Sequence, residues 1–549
     1  MRINRRQFTA FLAGETVRSA CAQRGRRPNV ILVLTDDQGY GDLSLHGNPH
    51  LKTPMMDAVG KEGVQFTQFQ VCPVCSPTRS SLLTGRYNYR TGVVDTFLGR
   101  SMMYPDEVTV AEILGGNGYR TGIFGKWHLG DNYPMRSGDQ GFQESLVIKG
   151  GGIGQPSDPP GSSYFDPILQ HNGSQQKYPG YCTDVFFSAA MEWMEHGGSK
   201  PFFAYIAPNA PHSPLMVDER WSRPFAEMGL EDDVAKVYGM IANIDWNLGR
   251  LTAKLREMDI ERDTVLIFMT DNGPVGPTVR YNAGMRSVKG TPYQGGIRVP
   301  FFVRWPGRLA PRKTDRIAAQ IDVMPTILEV CGVKVPAGLK IDGKSLLGLA
   351  DGTVREWPDR ALFTQWHRGD QPQAFRDSAV RRQRYKLING KELYDMEADP
   401  SESRDVAAAN PGIVSSLRNE YLAWFASVSA ERHFIPPKIY IGTEHENPVI
   451  LTRQDWRVEA DERKTIGWWE VDVKRAGKYR VTLIFDPLEA DSEVRFRLGD
   501  VDKSATSPKG AEECRFEAID LAPGPGQLRG SITAGKSSTG PKFVEVRAL

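Results

Sequence analysis

Residues 28–34 run Pro-Asn-Val-Ile-Leu-Val-Leu without a charge and then meet Thr35, Asp36 and Asp37. An unbroken apolar run of this length predicts a strand buried on both faces, with two carboxylates at its C-terminal end. The pattern returns at 202–207, which leads into Pro-Asn-Ala-Pro-His212, and at 264–269, which leads into Thr270, Asp271, Asn272 and Gly273. A shorter strand is predicted at 121–124. Helical periodicity fills the intervals, at 108–119, at 185–195 and most clearly at 232–258. There Val234, Val237, Ile241, Ile244, Leu248, Leu251 and Leu255 recur at steps of three and four and make one apolar stripe. Helices alternating with buried strands predict an α/β fold, a large mixed sheet flanked by helices. Polar residues gather where the strands end, which is where open α/β sheets place ligands.

The pattern changes twice toward the C-terminus. After a predicted helix at 322–331, short strands at 361–365 and 385–388 and a helix at 413–427 outline a smaller α+β C-terminal subdomain, residues 356–435. Pro436-Pro437 marks a joint. Beyond it, alternating runs at 467–473 and 479–485 are separated by turns such as Arg475-Ala476-Gly477 and 522–526. This pattern predicts an extra all-β C-terminal module, a sandwich at 440–549. There Trp456, Trp468 and Trp469 either stack on a ligand or fill the module's core. Residues 28–355 carry the strand-end acids. Residues 1–27 remain as a tail in which Arg5-Arg6 precedes a short apolar stretch. That resembles a twin-arginine export signal, so the protein is expected to be exported, periplasmic or secreted. Glu15 and Arg18 shorten the apolar part, and a disordered basic tail is the other reading.

Composition narrows the function classes. With 68 Lys and Arg against 66 Asp and Glu, the net charge is +2, too balanced to leave an electrostatic footprint for nucleic acid. No apolar run approaches the ~18 residues of a membrane span. The 549 residues exceed one ordinary core, in keeping with several domains. Six cysteines stand at 21, 72, 75, 182, 331 and 514. Cys72 and Cys75 form a lone C-x-x-C with no second pair to complete a zinc site. The spacing gives no disulfide framework, and most of the six are expected to be buried thiols.

The stretch Cys75-Ser76-Pro77-Thr78-Arg79-Ser80-Ser81-Leu82-Leu83-Thr84-Gly85 places a cysteine at the start of a predicted helix. Arg79 follows one turn later on the same face, and a helix N-terminus beside an arginine favours anions. The longer string closely resembles the signature of the sulfatases, in which the cysteine is oxidised to formylglycine and the Pro and Arg guide the modifying enzyme. The resemblance extends over 29–408. It takes in 36–42 (Asp-Asp-Gln-Gly-Tyr-Gly-Asp), 125–130 (Gly-Lys-Trp-His-Leu-Gly), 211–214 (Pro-His-Ser-Pro), 271–273 and 295–300 (Gly-Gly-Ile-Arg-Val-Pro). Glu392-Leu393-Tyr394-Asp395, with Asp399-Pro400 and Glu402, is similar to the family's C-terminal subdomain. Gln294 stands where the family pattern has glutamate.

The resemblance implies a type I sulfatase of the alkaline phosphatase superfamily. Asp36, Asp37, Asp271 and Asn272 offer only oxygen, which suits a hard cation such as calcium better than zinc, and position 75 completes the implied metal set. By the same resemblance, formylglycine 75 (3-oxoalanine), as its hydrate, attacks sulfur with one hydroxyl. Arg79 and Lys126 hold that hydrate, and His128 helps to expel sulfate. His212 and Lys289 bind the sulfate and protonate or stabilise the departing oxygen. The implied partners are a sulfated carbohydrate substrate and a formylglycine-generating or sulfatase-maturating enzyme. The Gly-, Pro- and Ser-rich segment 148–181, with Tyr164, Phe165 and Tyr178, is expected to shape a wide polar pocket. Two other readings remain open: a phosphonate monoester or phosphodiester hydrolase of the same superfamily, and a catalytically dead carbohydrate-binding homologue.

Overall fold

The computed structural model describes residues 27–276, 280–458 and 466–549. The Arg5-Arg6 motif and Cys21 lie outside the described residues. The centre is a ten-stranded mixed sheet in which strand Asn29–Thr35 runs parallel between Phe202–Ala207 and Thr264–Thr270. Arg120–Lys126 and Glu144–Ile148 continue the parallel part. All seven residues of Asn29–Thr35 are buried. Val30, Leu32 and Leu34 enter the apolar core on one face, and Ile31 and Val33 enter the core on the other. This two-sided burial accounts for the unbroken apolar run, because alternate side chains of a strand point to opposite faces.

Helix Asp232–Glu257 covers one face with its apolar stripe, beside Cys182–Glu195. The opposite face is covered by Cys75–Thr84, Val110–Gly116 and Val323–Val330. Thr109 and Glu112 form a capping box that starts the helix at Val110. The sheet is extended by strands too short to show a period: Val64–Phe66, Phe301–Arg304 and Arg312–Thr314 on one side, and the hairpin Ile168–His171/Ser174–Lys177 on the other.

Toward the C-terminus, Leu362–Gln365, Ser378–Arg381, Tyr385–Ile388 and Glu392–Asp395 form an antiparallel meander. Helix Pro411–Arg432 lays Leu417, Tyr421, Trp424 and Val428 against it, one face at helical spacing. The last residues build two facing sheets around a common core. Leu98, Met102 and Met135 of the larger α/β unit enter that same core. Trp456 and Trp469 are 5% and 0% exposed, and the Trp469 indole N–H donates to the Thr452 carbonyl (2.7 Å). These two rings are core and have no face free to stack on a sugar, while Trp468 lies half-buried under Arg529. No helix among the described residues is long and apolar enough to cross a membrane.

Candidate active site

The strand ends converge. Thr35 and Thr270 are register partners on adjacent parallel strands, so Asp36 and Asp37 emerge beside Asp271 and Asn272. Lys126 ends Arg120–Lys126, and His128 follows two residues later. Cys75 opens helix Cys75–Thr84, and Arg79 lies one turn on, fully buried. His212 stands just beyond Phe202–Ala207, and Lys289 arrives on the loop before Phe301–Arg304. All the strand-end acids and all six expected catalytic positions therefore meet at one end of the sheet.

The hydrogen bonds divide the cations among the acids. Arg79 donates from Nε and Nη2 to Asp271 Oδ2 (3.1 and 2.7 Å) and from Nη1 to the Lys126 carbonyl (3.1 Å). Lys126 Nζ donates to Asp36 Oδ2 (2.6 Å). Asp37 Oδ1 accepts from Asn272 Nδ2 (2.7 Å) and from Lys289 Nζ. His128 Nε2 lies 2.6 Å from the Thr96 carbonyl, which only accepts, so Nε2 carries the proton. In the neutral ring Nδ1 is then a free acceptor, and it faces Cys75 Sγ at 3.5 Å. His212 donates from Nδ1 to the Ser213 carbonyl (2.7 Å) and turns Nε2 toward Asp37 Oδ2 at 3.8 Å.

Burial pushes Asp36 and Asp271 up to about 6. Their repulsion of neighbouring carboxylates adds to the rise, and Lys126 and Arg79 oppose it. Burial would raise Asp37 as well, but Lys289 and His212 outweigh it and hold this carboxyl well below the usual range. Burial also opposes a Cys75 thiolate, yet Lys126 and Lys289 bring its pKa below the ordinary thiol value. His128 falls well below 6.5 through burial and the nearby Lys126, which keeps its ring neutral. Asp37 and His128 have φ of 63° and 62°, uncommon for residues with a side chain. Such strain, of order 1–3 kcal/mol each, persists where surrounding structure holds it and clusters at functional sites.

Two buried oxygens in this cluster, Asp36 Oδ1 and Asn272 Oδ1, have no hydrogen-bond partner. An orphaned oxygen among desolvated carboxylates is expensive unless a cation completes it. Ligand atoms of Asp36, Cys75 and Asp271, and of Asp36, Asp37 and His212, lie within 4.8 Å of one another in each set. Oxygen dominates both sets, which fits a hard cation such as calcium. The Gln294 side chain meets Gln70 (3.4 Å), and its backbone N–H donates to Glu402 (2.7 Å). The position contributes hydrogen bonds and no charge.

A pocket of about 480 Å³ opens over Cys75, His128, His212 and Lys289. The segment 148–181 contributes to it differently from the expectation. Tyr164 is fully buried and donates its hydroxyl to the Asn209 and His212 carbonyls (2.9 and 2.6 Å), supporting the turn from below. Phe165 and Tyr178 do not line the pocket, whereas Gly151, Gln155 and Pro156 do. A Cβ on Gly151 would stand 3.0 Å from His128 Cε1, and one on Gly152 would stand 2.9 Å from His212 Nδ1. The backbone here lies directly on the two imidazoles, and side chains would displace them. The rest of the wall was missed by sequence reasoning: Thr96, Phe97, Trp366, Arg368, Arg453 and Gln454. None belongs to a motif.

Residues 28–333 match the model of the sulfatase family, and residues 289–421 match that of the C-terminal part of N-sulphoglucosamine sulphohydrolase. The chain belongs to the sulfatase family. It is a type I sulfatase of the alkaline phosphatase superfamily and a sulfuric ester hydrolase. The sulfatase is 30% identical to human arylsulfatase A over 440 residues, 72% of this chain and 82% of the relative. It is 27% identical to an N-acetylgalactosamine-6-O-sulfatase of Bacteroides thetaiotaomicron over 499 residues, 74% and 95% of the two chains. Among solved structures, Ps i-CgsB in complex with k-i-k-neocarrahexaose superimposes with a TM-score of 0.68 at 26% identity, covering 76% of this chain and 96% of the other.

Proposed function

We propose that this sulfatase removes sulfate from a sulfated carbohydrate, using a formylglycine made from Cys75 and a calcium ion held by Asp36, Asp37, Asp271, Asn272 and position 75. The observation that carries the reading is the cluster around Cys75. A reactive position at a helix start faces the free Nδ1 of His128, among two buried cations, the half-buried Lys289 and two orphaned oxygens. A hydrated aldehyde at position 75 would supply one hydroxyl to displace the alcohol from sulfur and a second whose deprotonation would release sulfate and restore the aldehyde. A calcium ion held by these residues would supply positive charge for the developing oxyanions.

The chain's own groups do the rest. Arg79 and Lys126, fixed by Asp271 and Asp36, place their charge beside position 75 and would hold the hydroxyls of its hydrated form. His128 accepts a proton at Nδ1 when sulfate leaves. Asp37 holds the Lys289 pKa above the ordinary lysine value, so this ammonium stays charged and binds ester oxygens. His212 presents Nε2 to the leaving oxygen; burial lowers its pKa below the ordinary imidazole value, and Asp37 offsets part of that by favouring a proton there. Every residue of helix Cys75–Thr84 is buried, so a maturating enzyme must meet this segment before the chain folds. The carbohydrate assignment is supported by the relatives, named for N-acetylgalactosamine 6-O-sulfate or complexed with a neocarrahexaose. Turnover is expected to be at least ~10-fold faster on the best member of a panel of sulfated saccharides than on nitrophenyl sulfate, because remote sugar contacts add binding energy in the transition state. Activity confined to the aryl ester, or greater on an aryl phosphonate, would overturn it.

The calcium site carries its own pH signature. A carboxylate whose folded pKa is raised opposes folding as pH climbs above its unfolded value of 3.8, and it does so fully above about 6. Calcium binding relieves that cost, but it needs both groups deprotonated. Calcium affinity is therefore expected to fall below pH 6 by up to about tenfold per unit for each proton displaced. Calcium titrations followed by thermal denaturation at pH 7.5 and pH 5 test this. Equal affinity at the two values would refute it.

A further inference from the structure

The pocket wall is built from three distant parts of the chain, and its outer rim is cationic. Lys289, Arg368 and Arg453 line it, and among the described residues no aspartate or glutamate does. Arg453 comes from the β-sandwich, beyond the strand Val449–Thr452. Its Nε donates to the Pro541 carbonyl (2.9 Å) and its Nη2 to the Gly540 carbonyl (2.6 Å), and its plane lies over the Trp456 ring at 4.9 Å. Carbonyls orient a guanidinium without neutralising it. Among the described residues no carboxylate lies within ion-pairing distance of Arg453, and nearby Asp486 is engaged by Lys542. Burial lowers the Arg453 pKa, as expected for a charge that lacks a counter-ion.

Arg368 is held differently, from the C-terminal meander side, by an ion pair with the buried Asp95 that leaves part of its guanidinium unspent. It uses only Nη1, donating to Asp95 Oδ1 (3.0 Å) and Thr96 Oγ1 (3.2 Å), and it stacks on Phe97 and Trp366 at 4.6 and 5.2 Å. Its Nε and Nη2 make no hydrogen bond among the described residues, and 45% of the side chain is exposed. The chain next to Arg453 is clamped to the larger unit. Gln454 Nε2 donates to the Thr96 carbonyl (2.9 Å) and to Ser101 Oγ (3.1 Å), and Asp455 Oδ2 accepts from the Asp131 N–H (2.8 Å). The rim is thus preorganised.

We propose that Arg453 and Arg368 form a second oxyanion subsite, which selects carbohydrates carrying a further sulfate or carboxylate near the sulfate ester to be cleaved. This deepens the carbohydrate reading above and rests on it. The ester itself is one monoanion, and the charge of the strand-end cluster and Lys289 already faces it. Two oriented guanidiniums with unspent donors at the mouth match a second planar or tetrahedral oxyanion. A solely structural Arg453, pinning the 540–541 turn, is the competing role.

Binding to the Cys75→Ala protein separates these roles without requiring turnover or formylglycine. The probes are D-glucosamine-2-N,6-O-disulfate against D-glucosamine 6-sulfate, and a uronate-containing sulfated disaccharide against its carboxyl-reduced form, each followed by calorimetry. The doubly charged member of at least one pair is expected to bind about tenfold tighter or more, with the preference shrinking as salt rises. The sulfate pair and the uronate pair tell which oxyanion the subsite prefers. In the same background Arg453→Gln is expected to remove most of the preference, Arg453→Lys to keep part of it, and Arg368→Gln to weaken it independently. Equal affinity within both pairs would overturn the subsite, even where sulfate hydrolysis succeeds. Equal loss for both members of a pair in both glutamine variants would assign the arginines a structural role instead.

Discussion

Cys75→Ala is expected to lower sulfate ester turnover by at least ~10⁴-fold while leaving the protein folded, because it removes the proposed nucleophile and almost nothing else. The side chain is 2% exposed, and among the described residues its contact with His128 is the single side-chain hydrogen bond of the sulfur. Loss of one sulfur atom there costs about 1 kcal/mol, well inside the stability of a domain of this size. The helix is anchored by Arg79, whose three hydrogen bonds do not involve residue 75. Thermal denaturation of the variant should therefore match the parent within a few degrees. The companion measurement is the mass of the peptide spanning 75–79 after expression with a formylglycine-generating enzyme. That peptide should carry the aldehyde in proportion to specific activity. Full activity from a preparation whose residue 75 is entirely thiol would overturn the mechanism.

The strand-end half of this site was legible because buried strands of a parallel sheet write themselves as continuous apolar runs, and the acids that end them stand out. Asp36, Asp37, Asp271 and Asn272 were found that way before any resemblance entered. Helix Cys75–Thr84 is different: all its residues are buried, so it shows no amphipathic period, and only its motif marked it. Short strands such as Val64–Phe66 and Phe301–Arg304 could not be read. Three or four residues define no period, and Val64–Phe66 becomes a strand only by pairing with segments more than 200 positions away, among them Phe301–Arg304.

The pocket wall was invisible for a stronger reason. Gln454 meets the Thr96 carbonyl across 358 residues, and that same carbonyl orients His128. Nothing local to Arg453 or Gln454 marks them, because their position is created by docking the β-sandwich against Leu98, Met102 and Met135, and Trp366 and Arg368 reach the pocket only through tertiary contacts of the meander side with Asp95, Thr96 and Phe97. Of the three tryptophans that could stack on a ligand or fill the core, Trp456 and Trp469 fill the sandwich core, and Trp468 lies half-buried under Arg529. A charged or aromatic residue acquires a binding role from where tertiary contacts leave it, and composition alone ranks such residues poorly.

Asp37→Ala is expected to cost about 10³-fold in turnover at micromolar calcium and to recover in part at millimolar calcium. Of the three strand-end aspartates, Asp37 alone has its pKa held well below the usual range, so it is anionic at every working pH. It ties together Lys289, Asn272 and, at 3.8 Å, His212. Removing it takes one charged ligand from the cation and leaves the Lys289 ammonium without its partner. Breaking one side of a buried pair costs ~3–5 kcal/mol, shared here between stability, calcium affinity and sulfate placement. Excess calcium restores occupancy by mass action but cannot restore the orientation of Lys289, so recovery should stop short of the parent rate. Asp37→Asn keeps the oxygen ligand and loses only charge, and it should fall between the two. The measurement is kcat and KM against free calcium for parent and both variants, with chelated parent as the control. An unchanged rate in the exhaustively chelated parent, or an Asp37→Ala protein indifferent to calcium at every concentration, would remove calcium from the mechanism and leave Asp37 a counter-ion to Lys289 alone.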